Sequence, residues 1–150
     1  MRKQSIKCLV LNRRLGWLKT GRHRDEVERR FGEPVDHVVS NPSVVTYKNV
    51  EVRYERGVVE SFKIYLTREG AFPLADFLEL SEVTVTNVRE WLTEATLDAL
   101  PEPRLSEYDV LVLAVSNAVT LVFHDGRLVA IDIEGKQGAN FSYLQEERDG

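Results

Sequence analysis

A chain of 150 residues, 43% apolar and 29% charged, carries enough regularly spaced apolar material for one packed domain and too much for a disordered chain. Its net charge of −4 hides an asymmetry: residues 1–24 hold eight basic side chains (Arg2, Lys3, Lys7, Arg13, Arg14, Lys19, Arg22, Arg24) and no acid, whereas the remainder holds 12 basic and 24 acidic residues. Cys8 is the only cysteine, which excludes an intramolecular disulfide, and no stretch approaches the roughly 20 apolar residues of a membrane span.

The basic start admits two readings, an arm that touches an anionic partner or a segment that lies against the acidic body. Lys7 interrupts the first apolar run and leaves only Cys8-Leu9-Val10-Leu11, far short of the core of an export signal. A lone cysteine favours a reducing compartment, so the expectation is a soluble cytoplasmic protein with no membrane contact. Ile6–Leu11 reads as a short strand or docking segment, and Leu15, Trp17 and Leu18 as apolar anchors.

Gly21 to Pro34 (GRHRDEVERRFGEP) predicts a two-turn helix. Asp25 and Glu26 suit its positive end, Val27 and Phe31 share a face, and Gly32 with Pro34 ends it. Strands follow at Ser43–Lys48, Val50–Glu55 and Val58–Leu66, joined by turns at Lys48-Asn49 and Arg56-Gly57. Val50, Val52 and Tyr54 alternate with Glu51, Arg53 and Glu55, and Phe62, Ile64 and Leu66 with Ser61, Lys63 and Tyr65. This period of two marks a sheet with one wet face.

Residues 67–85 read as a connector, with Leu74–Leu80 either a helical turn or irregular. Asn87–Leu97 predicts a second helix, capped by Thr86 or Asn87, with Val88, Leu92 and Ala95 on one face and Trp91 beside it. Pro101 and Pro103 suggest a loop, followed by strands at Tyr108–Val115, Ala118–His124 and Leu128–Glu134. Asp125-Gly126 carries the hairpin signal between the last two. Residues 145–150 read as a polar tail.

The order of elements suggests an internal repeat, residues 21–66 and 86–134 of a single domain 1–150. Val27 and Phe31 match Val88 and Leu92 at an offset of 61, and Gly57, Phe62 and Ile64 match Gly126, Ile131 and Ile133 at an offset of 69. The expected fold is α+β: two helix-plus-three-strand units forming one antiparallel sheet with the helices on one face. Phe31, Tyr54, Phe62, Ile64, Trp91, Leu92, Phe123, Ile131 and Ile133 are the expected core.

Gly21, Asp25-Glu26, Val27, Phe31, Gly32 and Pro34 resemble the helix motif of the β-lactamase-inhibitor-protein-like fold, and the outer-membrane assembly lipoproteins carry a similar motif. The segments with Gly57 and with Asp125-Gly126-Arg127-Leu128 look like the meander that follows it, so the resemblance covers about 110 residues. It implies a non-enzymatic protein binder. The chain lacks that group's lipid-attachment cysteine and export signal, so an envelope role does not carry over. Small acidic immunity proteins of bacterial toxin systems offer a second analogy, at the level of fold and composition.

Signatures of chemistry are sparse. Cys8 sits in an apolar run, and the chain has no G-x-S-x-G, P-loop or G-x-G-x-x-G. His23, His37 and His124 stand apart in sequence, so local spacing points to no metal site, and no cofactor is expected. An acidic body without a reader motif argues against nucleic acid. The expected function is therefore a protein-interaction module, an inhibitor or immunity protein whose partner is a toxin, another protein or a second copy. The alternative is an enzyme or small-ligand binder that uses the open sheet face. On that face Arg53, Lys63, Tyr65, His124, Asp132 and Glu134 are the candidate contacts, although Asp132 and Glu134 read equally as an ordinary solvated pair. The valines on the same face, Val110, Val112 and Val122, call for a partner or for cover by the 67–85 connector or the basic start.

Overall fold

A computed structural model describes residues 3–32, 36–37 (backbone only), 43–47, 49–66, 78–79, 81–102, 109–135 and 144. Pro34, most of the 67–85 connector, Pro103 and the 145–150 tail lie outside the described residues. Among the described residues, the helices α1 (Ile6–Asn12), α2 (Arg24–Phe31) and α3 (Val85–Glu94) accompany eight strands. The strands are β1 (Asp36–His37), β2 (Val44–Tyr47), β3 (Val50–Glu55), β4 (Val58–Tyr65), β5 (Ala99–Pro101), β6 (Val110–Val115), β7 (Val119–His124) and β8 (Arg127–Ile133). They form one antiparallel sheet in the order β1-β2-β3-β4-β8-β7-β6-β5. The protein is α+β.

Residues 6–12 form a helix, where a short strand or a docking segment was expected at Ile6–Leu11. Ile6, Leu9 and Val10 recur at helical spacing and are all buried, while Ser5 Oγ accepts from Cys8 N–H (3.1 Å) as the cap. Arg13 ends the helix in the left-handed region (φ 58°). Leu15 and Leu18 are buried as expected, their backbones exchanging hydrogen bonds of 2.9 and 2.8 Å.

Helix α2 begins at Arg24, has Asp25 and Glu26 in its first turn, buries Val27 and Phe31, and stops at Gly32 (φ 79°). Helix α3 starts two residues earlier than expected, because Thr84 is the cap. Its hydroxyl accepts from Asn87 N–H (3.2 Å), and Asn87 Oδ1 accepts from Thr84 N–H (3.1 Å), a reciprocal box. Ala95 is exposed at the C-terminal end, so the buried face consists of Val88 and Leu92, with Trp91 packed at its edge.

Both of these helices are stitched to a hairpin turn. Arg24 N–H donates to Gly57 O (2.9 Å) and Val59 N–H to Arg22 O (2.8 Å). Val85 N–H donates to Gly126 O (3.0 Å) and Leu128 N–H to Val83 O (2.8 Å). The turn at Asp125-Gly126 takes positive φ at both residues (49° and 77°), the mirror-image turn whose twist matches a hairpin.

All three helices contribute to one core with a single face of the sheet: Val45, Tyr47, Val50, Val52, Tyr54, Val59, Phe62, Ile64, Leu113, Val115, Val119, Leu121, Phe123, Leu128, Ile131 and Ile133. Residues paired across strands share a face, and the register keeps this set together from Tyr47↔Val50 to Val115↔Val119. Of the nine expected core residues only Trp91 is less than fully buried. The strand β5 replaces the expected loop at Pro101. Proline fits there because it is the last residue of a strand at the sheet's edge.

Candidate functional site: the sheet face opposite the helices

The same register fixes the other face. A straight row crosses the sheet through Thr46, Glu51, Lys63, Asp132, Thr120, Ala114 and Leu100. Helices α1, α2 and α3 pack on the other face, so none of these three covers the row. At its β5–β6 end the row turns apolar, and Leu144 packs with Ala114 and Leu100. Val112 is buried, and Val110 and Val122 are half-buried. The basic start is not what covers these valines, because α1 packs on the helical face. The connector's part lies outside the described residues.

The middle of the row is charged. Lys63 stands between Glu51 and Asp132 in register and lies 5.1 Å from the Tyr65 ring centroid. Tyr65 Oη donates to Glu51 Oε2 (3.3 Å). Asp132 faces Thr120, whose hydroxyl donates to Glu134 Oε1 (2.7 Å). Arg53, exposed on β3, is paired with Ser61. Burial in this row, with Glu134's negative charge next, pushes the Asp132 carboxyl up to about 6, although Lys63 and Arg53 pull the other way. Asp132 is therefore more than the solvated carboxylate that its alternation suggested.

Four of the six sequence-predicted residues, Arg53, Lys63, Tyr65 and Asp132, lie on the three neighbouring strands β3, β4 and β8, and Glu134 follows directly after β8. His124 shares the face but sits apart, at the β7–β8 hairpin. Glu51 and Thr120 belong to the group. Both were readable from alternation, Glu51 with Val50 and Val52 and Thr120 with Val122 and His124; the register adds that Thr120 stands directly beside Asp132.

Much of the basic start is held internally. Lys7 pairs with Glu94 of α3 (3.3 Å), Arg24 with Glu28 (2.9 Å), and an Arg13 guanidinium nitrogen donates to Glu134 O (2.6 Å). Trp17 donates to Glu26 (3.0 Å) and stacks with Arg22 and Arg30 at 5.6 and 4.6 Å. Among the described residues no helix is long and apolar enough to cross a membrane. No family model matches this chain, and no curated protein or solved structure does so either.

Proposed function

We propose that this chain is a non-enzymatic protein-interaction module, an inhibitor or immunity protein of the cytoplasm that binds a partner protein with the β3–β4–β8 face of its sheet. The observation that carries the reading is the grouping of Arg53, Lys63, Tyr65, Asp132 and Glu134 on the face opposite α1, α2 and α3. Arginine and tyrosine are among the residues that protein interfaces favour, and charged residues suit the rim of such a patch. The resemblance to the β-lactamase-inhibitor-protein-like fold points the same way.

We also infer that the fold is a duplicated unit. Supporting this, the helix-to-turn hydrogen bonds of Arg24 and Val85 recur at the same offsets, 61 and 69, as the sequence match. The register shifts at Arg53/Tyr54 and Val122/Phe123 are also 69 apart. On this reading Lys63 and Asp132 are equivalent positions that face each other where the halves join. The site then lies on the seam, with one charge from each unit.

The double variant Arg53→Ala, Tyr65→Ala tests the interface. Affinity capture from the native host should lose the partner recovered with the unaltered chain, while the thermal midpoint stays unchanged. Undiminished recovery by a folded double variant would remove this face as the site. A second reading, a small cationic ligand bound at Asp132 and Glu134, is favoured by the desolvated Asp132 carboxyl. It predicts a loss of ligand-induced stabilisation in Asp132→Asn.

A further inference from the structure

We propose that Asp109, His124 and Asp125, at the open end of the β6–β7–β8 meander, form a binding site for a divalent cation of the zinc class. These three residues are the one histidine-containing group among the described residues whose ligand atoms all lie within 4.8 Å of one another. The spacing within the group is specific. His124 Nε2 stands 3.0 Å from Asp109 Oδ2. A cation with bonds of about 2.0–2.1 Å holds neighbouring ligand atoms about 3.0–3.4 Å apart, so this pair already spans one edge of a coordination shell. Asp125 Oδ2 lies 3.6 Å from the other ring nitrogen, His124 Nδ1, so its side chain, 70% exposed, has to swing towards the Nε2 side to serve as third ligand.

The backbone holds the three positions before any ion arrives. His124 is in register with Val110, next to Asp109, and Asp125 N–H donates to Asp109 O (2.9 Å). Asp125 is further fixed by the hairpin turn. A preformed frame spares a ligand set the cost of ordering. A cleft of about 450 Å³, lined by His124, Asp125, Arg127, Glu82, Ser81 and Leu66 among others, opens beside the group. It gives an incoming hydrated ion access and leaves room for the waters that complete its shell. One imidazole with two carboxylates suits zinc, manganese or nickel better than calcium, which prefers an all-oxygen shell. Sequence spacing missed the site because Asp109 reaches His124 only across the hairpin.

Calorimetric titration of the full chain with zinc chloride at pH 7.5 tests the site, alongside His124→Ala, Asp109→Asn and, as control, His23→Ala. The expected result is one zinc per chain, at least about tenfold weaker in the first two variants and unchanged in the control. Proton NMR should show the His124 ring resonances shifting with zinc. Absence of saturable binding up to about 1 mM zinc would overturn the proposal and leave an ordinary His–Asp ion pair. Equal binding by folded His124→Ala or Asp109→Asn would also overturn it. All three side chains are about half exposed or more, so these variants should fold.

Discussion

Asp132 is the residue where packing most changes chemistry. Its folded-state carboxyl titrates near 6 against an ordinary 3.8, because burial and Glu134 oppose its charge. A raised carboxyl stabilises the fold while it is protonated. Its contribution is complete below the ordinary value and is lost as pH rises through about 6. The expected outcome is that the urea midpoint of the unaltered protein, relative to Asp132→Asn, falls between pH 4 and pH 7. A difference that is flat or rises over that window would show that the site does not desolvate the carboxylate. Alternation placed Asp132 and Glu134 on one face from sequence, but not the burial of Asp132, which arises only in the assembled sheet.

Among the elements, those with both a periodic core face and a chemical stop signal were legible. Helix α2 has Asp25-Glu26 in its first turn, Val27 and Phe31 on its buried face and Gly32 at its stop, as the sequence signals place them. Strand β3 alternates cleanly and matches throughout. Helix α1 was misread because a four-residue apolar run hides the Ile6, Leu9, Val10 spacing that its burial obeys. Strand β5 was missed because proline argues against a strand unless the strand is known to lie at an edge, and edge position is a property of the whole sheet. Helix α3 was placed two residues late because its cap, Thr84, lies within a β-branched run, Val83 to Thr86, that reads as extended. Thr84→Ala removes the cap for the Asn87 N–H and should cost about 1 kcal/mol of unfolding free energy in urea titration, with the value in Asn87→Ala similar. A loss below about 0.3 kcal/mol would mean that tertiary packing alone fixes the start of α3.

On the scale of the whole molecule, period-two alternation in β3, β4, β7 and β8 specified both faces and hence one antiparallel sheet backed by helices. The alternation did not specify how far each meander slides on the next. That slide decides which residues meet: Lys63 with Asp132 at the seam, and Asp109 with His124 at the hairpin. Both contacts join strands or turns whose register is set by paired backbones and by the bulges at Arg53/Tyr54 and Val122/Phe123, which sequence does not announce.

The proposed division of labour, with helices to build the core and the opposite sheet face to bind, is open to one direct measurement. A photo-crosslinking amino acid is placed at Arg53 on the sheet face and, separately, at Arg29 on α2, both exposed, and each variant is irradiated in cells of the native host. The sheet-face position should yield an adduct with one defined protein, and the helix position should not. A specific adduct from Arg29 and none from Arg53 would place the interface on the helical layer and refute the sheet-face assignment.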